Sequence, residues 1–173
     1  MAIHRLNHAV LFVRDADRTA QFFIDVLGFR HIEGYQGMPG AVFLRAATST
    51  NDHDLGLFSI GADAGDPSAG RTTVGLYHLA WEVDTLSDLV ELADRLRAVG
   101  ALVGATNHGT TRALYAKDPD GLEFELTWIV PAALLTPDDR PGGAPLDLAA
   151  DIERFGAHTS GGIGISRPAQ ATS

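Results

Sequence analysis

No cysteine occurs among the 173 residues, which excludes disulfide scaffolds, thiolate zinc sites and cysteine nucleophiles together. Basic residues are scarce as well. Thirteen Lys and Arg stand against 22 Asp and Glu, a formal net charge of −9, and no basic run concentrates the few there are. Nucleic acid and anionic lipid are therefore poor partners. No apolar run approaches the roughly 18 residues that a membrane span needs. The opening MAIHRLNHAV lacks the charged-then-apolar pattern of a secretory signal, so the expectation is a soluble, cytoplasmic protein. The remaining composition, 45% hydrophobic and 20% charged, is globular, and seven histidines carry most of the available metal chemistry.

The chain repeats itself. LNHAVLFVRDADRTAQFFIDVLGF (6–29) and LYHLAWEVDTLSDLVELADRLRAVGA (76–101) both run from a histidine into an apolar strand and then, past an acidic residue, into a helix. Asp15 or Asp17 is placed to cap the first helix, whose apolar positions are Ala20, Phe23, Val26 and Leu27, with Gly28 as its stop. The second has Asp84 or Ser87 as cap, the stripe Leu86, Leu89, Ala93 and Leu96, and Gly100 as stop. Extended segments follow at 31–35, 41–45 and 55–60 in the first half, and at 101–105, 113–116 and 122–130 in the second. Each half reads β-α-β-β-β, joined by the turn-rich GADAGDPSAGRTT (61–73). The fold class is α+β: two tandem modules, 4–61 and 75–130, within a domain covering 1–130, forming a curled mixed sheet around one cleft. Two copies about 70 residues apart are an internal duplication, not a solenoid.

Strand alternation sorts these residues by face. Ala9, Leu11 and Val13 suit packing under the helix, while His8, Val10 and Phe12 point away. Leu79, Trp81 and Val83 likewise oppose His78, Ala80 and Glu82. In LEFELTW, Phe124, Leu126 and Trp128 oppose Glu123, Glu125 and Thr127. His8, His78 and Glu125 thus all project from the sheet face without helices, and the histidines hold equivalent places in two copies of one motif. Two histidines and one carboxylate form the facial triad of non-haem Fe(II) chemistry, with positions left for substrate and dioxygen.

The duplicated motif and DPDGLEFEL (118–126) resemble the vicinal oxygen chelate superfamily, which includes glyoxalases, fosfomycin-resistance enzymes, bleomycin-binding proteins and extradiol dioxygenases; the likeness covers roughly residues 4–130. TNHGTTRALYAKDPDGLEFE (106–125) is similar to the signature of type I extradiol ring-cleavage dioxygenases: His108, a spacer, Leu114-Tyr115, the turn Asp118-Pro-Asp-Gly121, then Glu125. The resemblance implies Fe(II), with Mn(II) as substitute, held by His8, His78 and Glu125. It implies a catechol-type substrate and O2 as partners. His53, in NDHDLGLF (51–58), is implied as the acid/base residue, Tyr115 as a hydrogen-bond donor to substrate, and His108 as its assistant. By the duplication Leu57 is read as the counterpart of Glu125, on one face with His53 and Leu55. That strand then offers no acid, whereas glyoxalase I usually draws a fourth ligand from it. Asp52 and Asp54 flank His53 where the family often has another histidine, a departure bearing on its basicity. Leu122 replaces a frequent Asn. His4, His31 and His158 match nothing and are expected on the surface.

Two other functions share this pattern. One is another metal-dependent reaction of the superfamily, by an isomerase, an epimerase or a fosfomycin-type transferase. The other is non-catalytic drug binding, whose exponents generally lack the three ligands. Residues 131–173 fall outside the duplication. Leu146, Ala149, Ile152 and Phe155 have the spacing of a short helix, and the Gly/Ser/Pro-rich end is expected to be mobile. Relatives of the ring-cleavage type carry a similar Arg-Pro and Pro-Leu-Asp-Leu tail. It is expected to pack on a cleft edge or a subunit contact, within a homodimer or higher homo-oligomer.

Overall fold

The first copy folds as strand β1 (Ala9–Val13), helix α1 (Ala16–Leu27) and strands β2 (Arg30–His31), β3 (Ala41–Arg45) and β4 (Leu55–Ser59), in a computed structural model that describes residues 2–3, 5–34, 38–70 and 72–162. The Asp15 side chain caps α1, accepting from the Arg18 amide at 3.1 Å. Gly28 ends it at φ 74°, a left-handed conformation that only a residue without Cβ takes at no cost. Amides of Gly28 and Phe29 donate back to the carbonyls of Ile24 and Phe23, so the last turn is satisfied. Ala20, Phe23 and Val26 bury the expected face.

The second copy gives β5 (His78–Glu82), α2 (Leu86–Ala98), β6 (Leu102–Asn107), β7 (Thr111–Lys117) and β8 (Glu123–Ile129). Thr85, rather than Asp84 or Ser87, caps α2, because Asp88 reciprocates: Thr85 accepts from the Asp88 amide while the Asp88 carboxylate accepts from the Thr85 amide. Leu86, Leu89, Ala93 and Leu96 are almost wholly buried, each leucine contributing about 2 kcal/mol.

Two mixed sheets result, ordered β1-β4-β3-β2 and β5-β8-β7-β6-β9, where β9 is Ala144–Pro145. In each, the first and last strands of the module pair in parallel and the others antiparallel. The same order in both sheets is the duplication made physical. β2 is shorter than the expected 31–35. It ends at His31, ahead of Gly34 at φ 104°, and residues 35–37 lie outside the described set. The chain divides into two compact units, Met1–Ala69 with Asp118–Leu122, and Gly70–Lys117 with Glu123–Ser173.

The tail is built into the second unit. β9 pairs with β6, and α3 (Leu148–Phe155), capped by Asp147, follows it. Phe155 is buried as the sequence spacing predicts, but Ala149 is exposed and its place in the buried face is taken by Asp151. The cause is an ion pair: the Asp151 carboxylate lies 2.7 Å from Nε of Arg112, whose side chain is 1% exposed in β7. Phe155 packs against Trp128 at 5.5 Å and beneath the guanidinium groups of Arg112 and Arg154. The expected mobile end, 163–173, lies outside the described residues.

Candidate active site

In the first unit, His8 stands immediately before β1 and is exposed. Its Nδ1 is 2.7 Å from the Asn7 side-chain oxygen, and its ring lies 4.4 Å from that of His53, tilted by 40°. His53 is 8% exposed and meets the edge of Phe43 at 5.1 Å. The Asp52 carboxylate is 3.1 Å from Nδ1 of His53. A carboxylate only accepts, so Nδ1 carries the proton and Nε2 is the basic nitrogen of the neutral ring. Asp54 does something else. Its buried carboxylate accepts from the Ala46 amide, Ser49 and Asn51, which shapes the loop rather than the imidazole.

Strand register corrects one assignment. Val10 pairs with Gly56 and Leu11 with Leu57, just as Ala80 pairs with Glu125. Since His8 and His78 hold matching places, the counterpart of Glu125 is Gly56, not Leu57. Leu55 and Leu57 are fully buried, and a Cβ on Gly56 would touch Val10 and Phe43. The first module still offers no carboxylate there, for the simpler reason that the position has no side chain.

In the second unit, His78 opens β5 and Glu125 sits on the adjacent β8, with Nε2 and Oε2 3.1 Å apart. Two donors at right angles around one ion, each about 2.1 Å from it, stand about 3 Å apart, so this spacing fits adjacent ligands of a divalent cation. Nδ1 of His78 is buried with no hydrogen-bond partner among the described residues, which leaves Nε2 as the nitrogen presented to the carboxylate. Tyr115 lies directly opposite Glu125 in the β7–β8 ladder. Burial, then the charge of Glu125, pushes its phenol above the ordinary tyrosine range and keeps it a neutral donor. Its hydroxyl is 2.8 Å from Nε2 of His108.

The structure therefore joins His8 to His53 in one unit, and His78, Glu125, Tyr115 and His108 in the other. Among the described residues, no three His, Asp or Glu side chains gather as a ready-made metal set. The Asp118-Pro-Asp-Gly turn forms as expected, with Gly121 at φ 87° and its amide donating to the Asp118 carbonyl. Sequence reasoning missed the Asp120 carboxylate in that turn, which accepts from the Arg14 amide at 2.7 Å and pairs with its guanidinium at 3.3 Å. It also missed Arg112, although a lone arginine amid TRALYA was a signal that a buried partner is needed.

Residues 5–126, well over half of the chain, match the family model of the Glyoxalase/Bleomycin resistance protein/Dioxygenase superfamily. The chain belongs to this superfamily. Biphenyl-2,3-diol 1,2-dioxygenase 3 of Rhodococcus globerulus is 37% identical over 123 residues, covering 70% of this chain and 62% of that one. Catechol-2,3-dioxygenase of Bacillus subtilis is 28% identical over 152 residues, 86% of this chain and 50% of that one. The chain thus spans between half and two thirds of these dioxygenases. Superfamily relatives named "Probable lactoylglutathione lyase" match too; the one from Synechocystis is 26% identical over 125 residues, 70% of this chain and 92% of that one. Among solved structures, the glyoxylase/bleomycin resistance protein/dioxygenase domain from Frankia superposes with a TM-score of 0.58 at 22% identity, over 73% of this chain and 92% of that one. That likeness concerns the fold.

Proposed function

We propose that this superfamily member is a metal-dependent extradiol dioxygenase that opens the ring of a catechol-type substrate with O2. Fe(II) is its metal, Mn(II) a substitute, and it works in the cytoplasm as a homo-oligomer. The observation that carries this reading is the grouping of His108, Tyr115 and Glu125, in which two protonatable groups stand beside a carboxylate 3.1 Å from a histidine nitrogen.

In this reading His8, His78 and Glu125 would hold the ion. Once bound it would supply Lewis-acid activation of the vicinal diol and redox chemistry toward dioxygen. His53, oriented by Asp52, takes a proton from a substrate hydroxyl at Nε2. Tyr115, kept protonated by burial, donates its hydrogen bond to a substrate oxygen or to Nε2 of His108. The test is dioxygen uptake by protein reconstituted anaerobically with Fe(II), against a panel of catechols, with absorbance recorded alongside. Uptake matched by a yellow ring-opened product supports the reading. No uptake by protein that demonstrably holds one metal overturns it.

A redox-silent isomerase is the second reading, favoured by the 92% coverage of the Synechocystis relative. Against it stands Gly56, which supplies no fourth acidic ligand where glyoxalase I usually has one.

A further inference from the structure

His108 is held from both sides by backbone. Its Nδ1 is 2.7 Å from the Gly142 carbonyl, and the Gly142 amide returns a bond to the His108 carbonyl at 3.3 Å. A carbonyl only accepts, so Nδ1 must carry the proton. In the neutral ring Nε2 then becomes the acceptor, and the Tyr115 hydroxyl, 2.8 Å away, becomes the donor. The direction of the His108–Tyr115 hydrogen bond is thus set by a loop 34 residues further along the chain.

That loop is itself fixed. The Asp139 carboxylate, 5% exposed, accepts two bonds from the Arg154 guanidinium, at 2.7 and 2.6 Å, and two more from the Thr136 amide and hydroxyl. Arg154 belongs to α3, which the Arg112–Asp151 pair anchors to the sheet. Gly109, next to His108, has φ 81° and lies so close to the Arg140 carbonyl that any Cβ there would collide with it. The loop rests on the turn that carries His108.

We propose that the segment Asp139–Phe155 is a positioning clamp for the His108–Tyr115 pair, with Asp139 and Arg154 as positioning residues that hold His108 in its Nδ1–H tautomer. The tautomer follows from the geometry above; its value to turnover rests on the functional reading just given. A free imidazole prefers the other tautomer, so the clamp acts against the intrinsic bias of the ring.

The experiment is nitrogen-15 NMR of the full chain with labelled histidine, with no metal or substrate added, at a pH where the rings are neutral. The intact protein is expected to show a protonated Nδ1 and a bare Nε2 at His108. Asp139→Asn, Arg154→Ala and Gly109→Ala are each expected to raise the ratio of Nε2–H to Nδ1–H about fivefold, the effect of one net hydrogen bond. Arg154→Lys recovers part of the shift. Arg97→Ala, which breaks an exposed pair with Asp94 on α2, leaves the ratio unchanged. An Nε2–H tautomer in the intact protein overturns the proposal. So does an unmoved tautomer in folded Asp139→Asn and Arg154→Ala proteins, which keep the test open where Gly109→Ala fails to fold. If the tautomer responds but no catechol is opened, the functional reading fails and the clamp stands. If the tautomer does not respond, the clamp fails whatever the chain catalyses.

Discussion

Asp151→Ala removes one side of an ion pair whose side chains are 1% and 8% exposed. Breaking a buried pair from one side costs about 3–5 kcal/mol, because the survivor stays charged and out of water. Arg112 retains the carbonyls of Gly109 at 2.8 Å and Thr111 at 3.4 Å, and the face of Phe155, which places this loss at the lower end, about 3 kcal/mol. Arg112→Ala also vacates a fully buried side chain, so its cost reaches about 5 kcal/mol. Oδ2 of Asp151 is buried without a hydrogen bond among the described residues, so the pair is not fully satisfied. The apolar double replacement Arg112→Met with Asp151→Leu is therefore expected to recover most of the loss. Urea unfolding followed by tryptophan fluorescence reads this, since Trp128 packs on Phe155. A cost below about 1 kcal/mol for Asp151→Ala would refute the reasoning, being the scale of an exposed pair. A double variant no more stable than the singles would refute it equally.

Further outcomes are specific. Thr85→Ala loses the capping box and about 1 kcal/mol in thermal or urea unfolding, while Thr85→Ser loses little. Gly28→Ala meets no atom within 4 Å, so its cost of about 1 kcal/mol is backbone strain alone, smaller for Gly28→Asn. Arg154 holds the Asp139 carboxyl far below the ordinary carboxylate range. The unfolded state therefore binds that proton first, and the pair's stabilisation is present above the unfolded pKa of about 4 and lost as pH falls towards the native value. In acid titration Arg154→Ala should flatten this part of the stability profile. Under the proposed function, His53→Phe reconstituted with Fe(II) is expected to hold the metal by elemental analysis and to lose about 10²–10⁴-fold in turnover, whereas His78→Ala and Glu125→Ala are expected not to retain it.

Local patterns made the modules legible. The stripe of α2 and the run of β3 match their sequence expectations because apolar period and strand alternation are written within a few residues. The cap of α2 was not decidable locally, since Asp84, Thr85 and Ser87 all have capping side chains and only the reciprocal bond from Asp88 selects among them. The facing of β4 was misread because Gly56 shows no side chain to declare a face; pairing with β1 decides it. His108, Tyr115 and Glu125 stood out as a motif, but the partner of the His108 Nδ1 is the Gly142 backbone, which leaves no trace in residue type. The displaced face of α3 has the same origin, a demand made by Arg112 about 40 residues earlier in the chain.

The Asp118–Leu122 turn is the tip of the β7–β8 hairpin, yet it clusters with the first unit, where Asp120 meets the Arg14 amide and guanidinium. The unit boundary is therefore not a chain boundary. A cut in the 61–73 connector yields an N-terminal fragment lacking the carboxylate that its own Arg14 binds, and a C-terminal fragment whose hairpin tip has lost its seat. The N-terminal piece lacks part of its own unit, and the C-terminal piece carries five residues that belong to the other. The duplication in the sequence and the division into units therefore part company at this one turn.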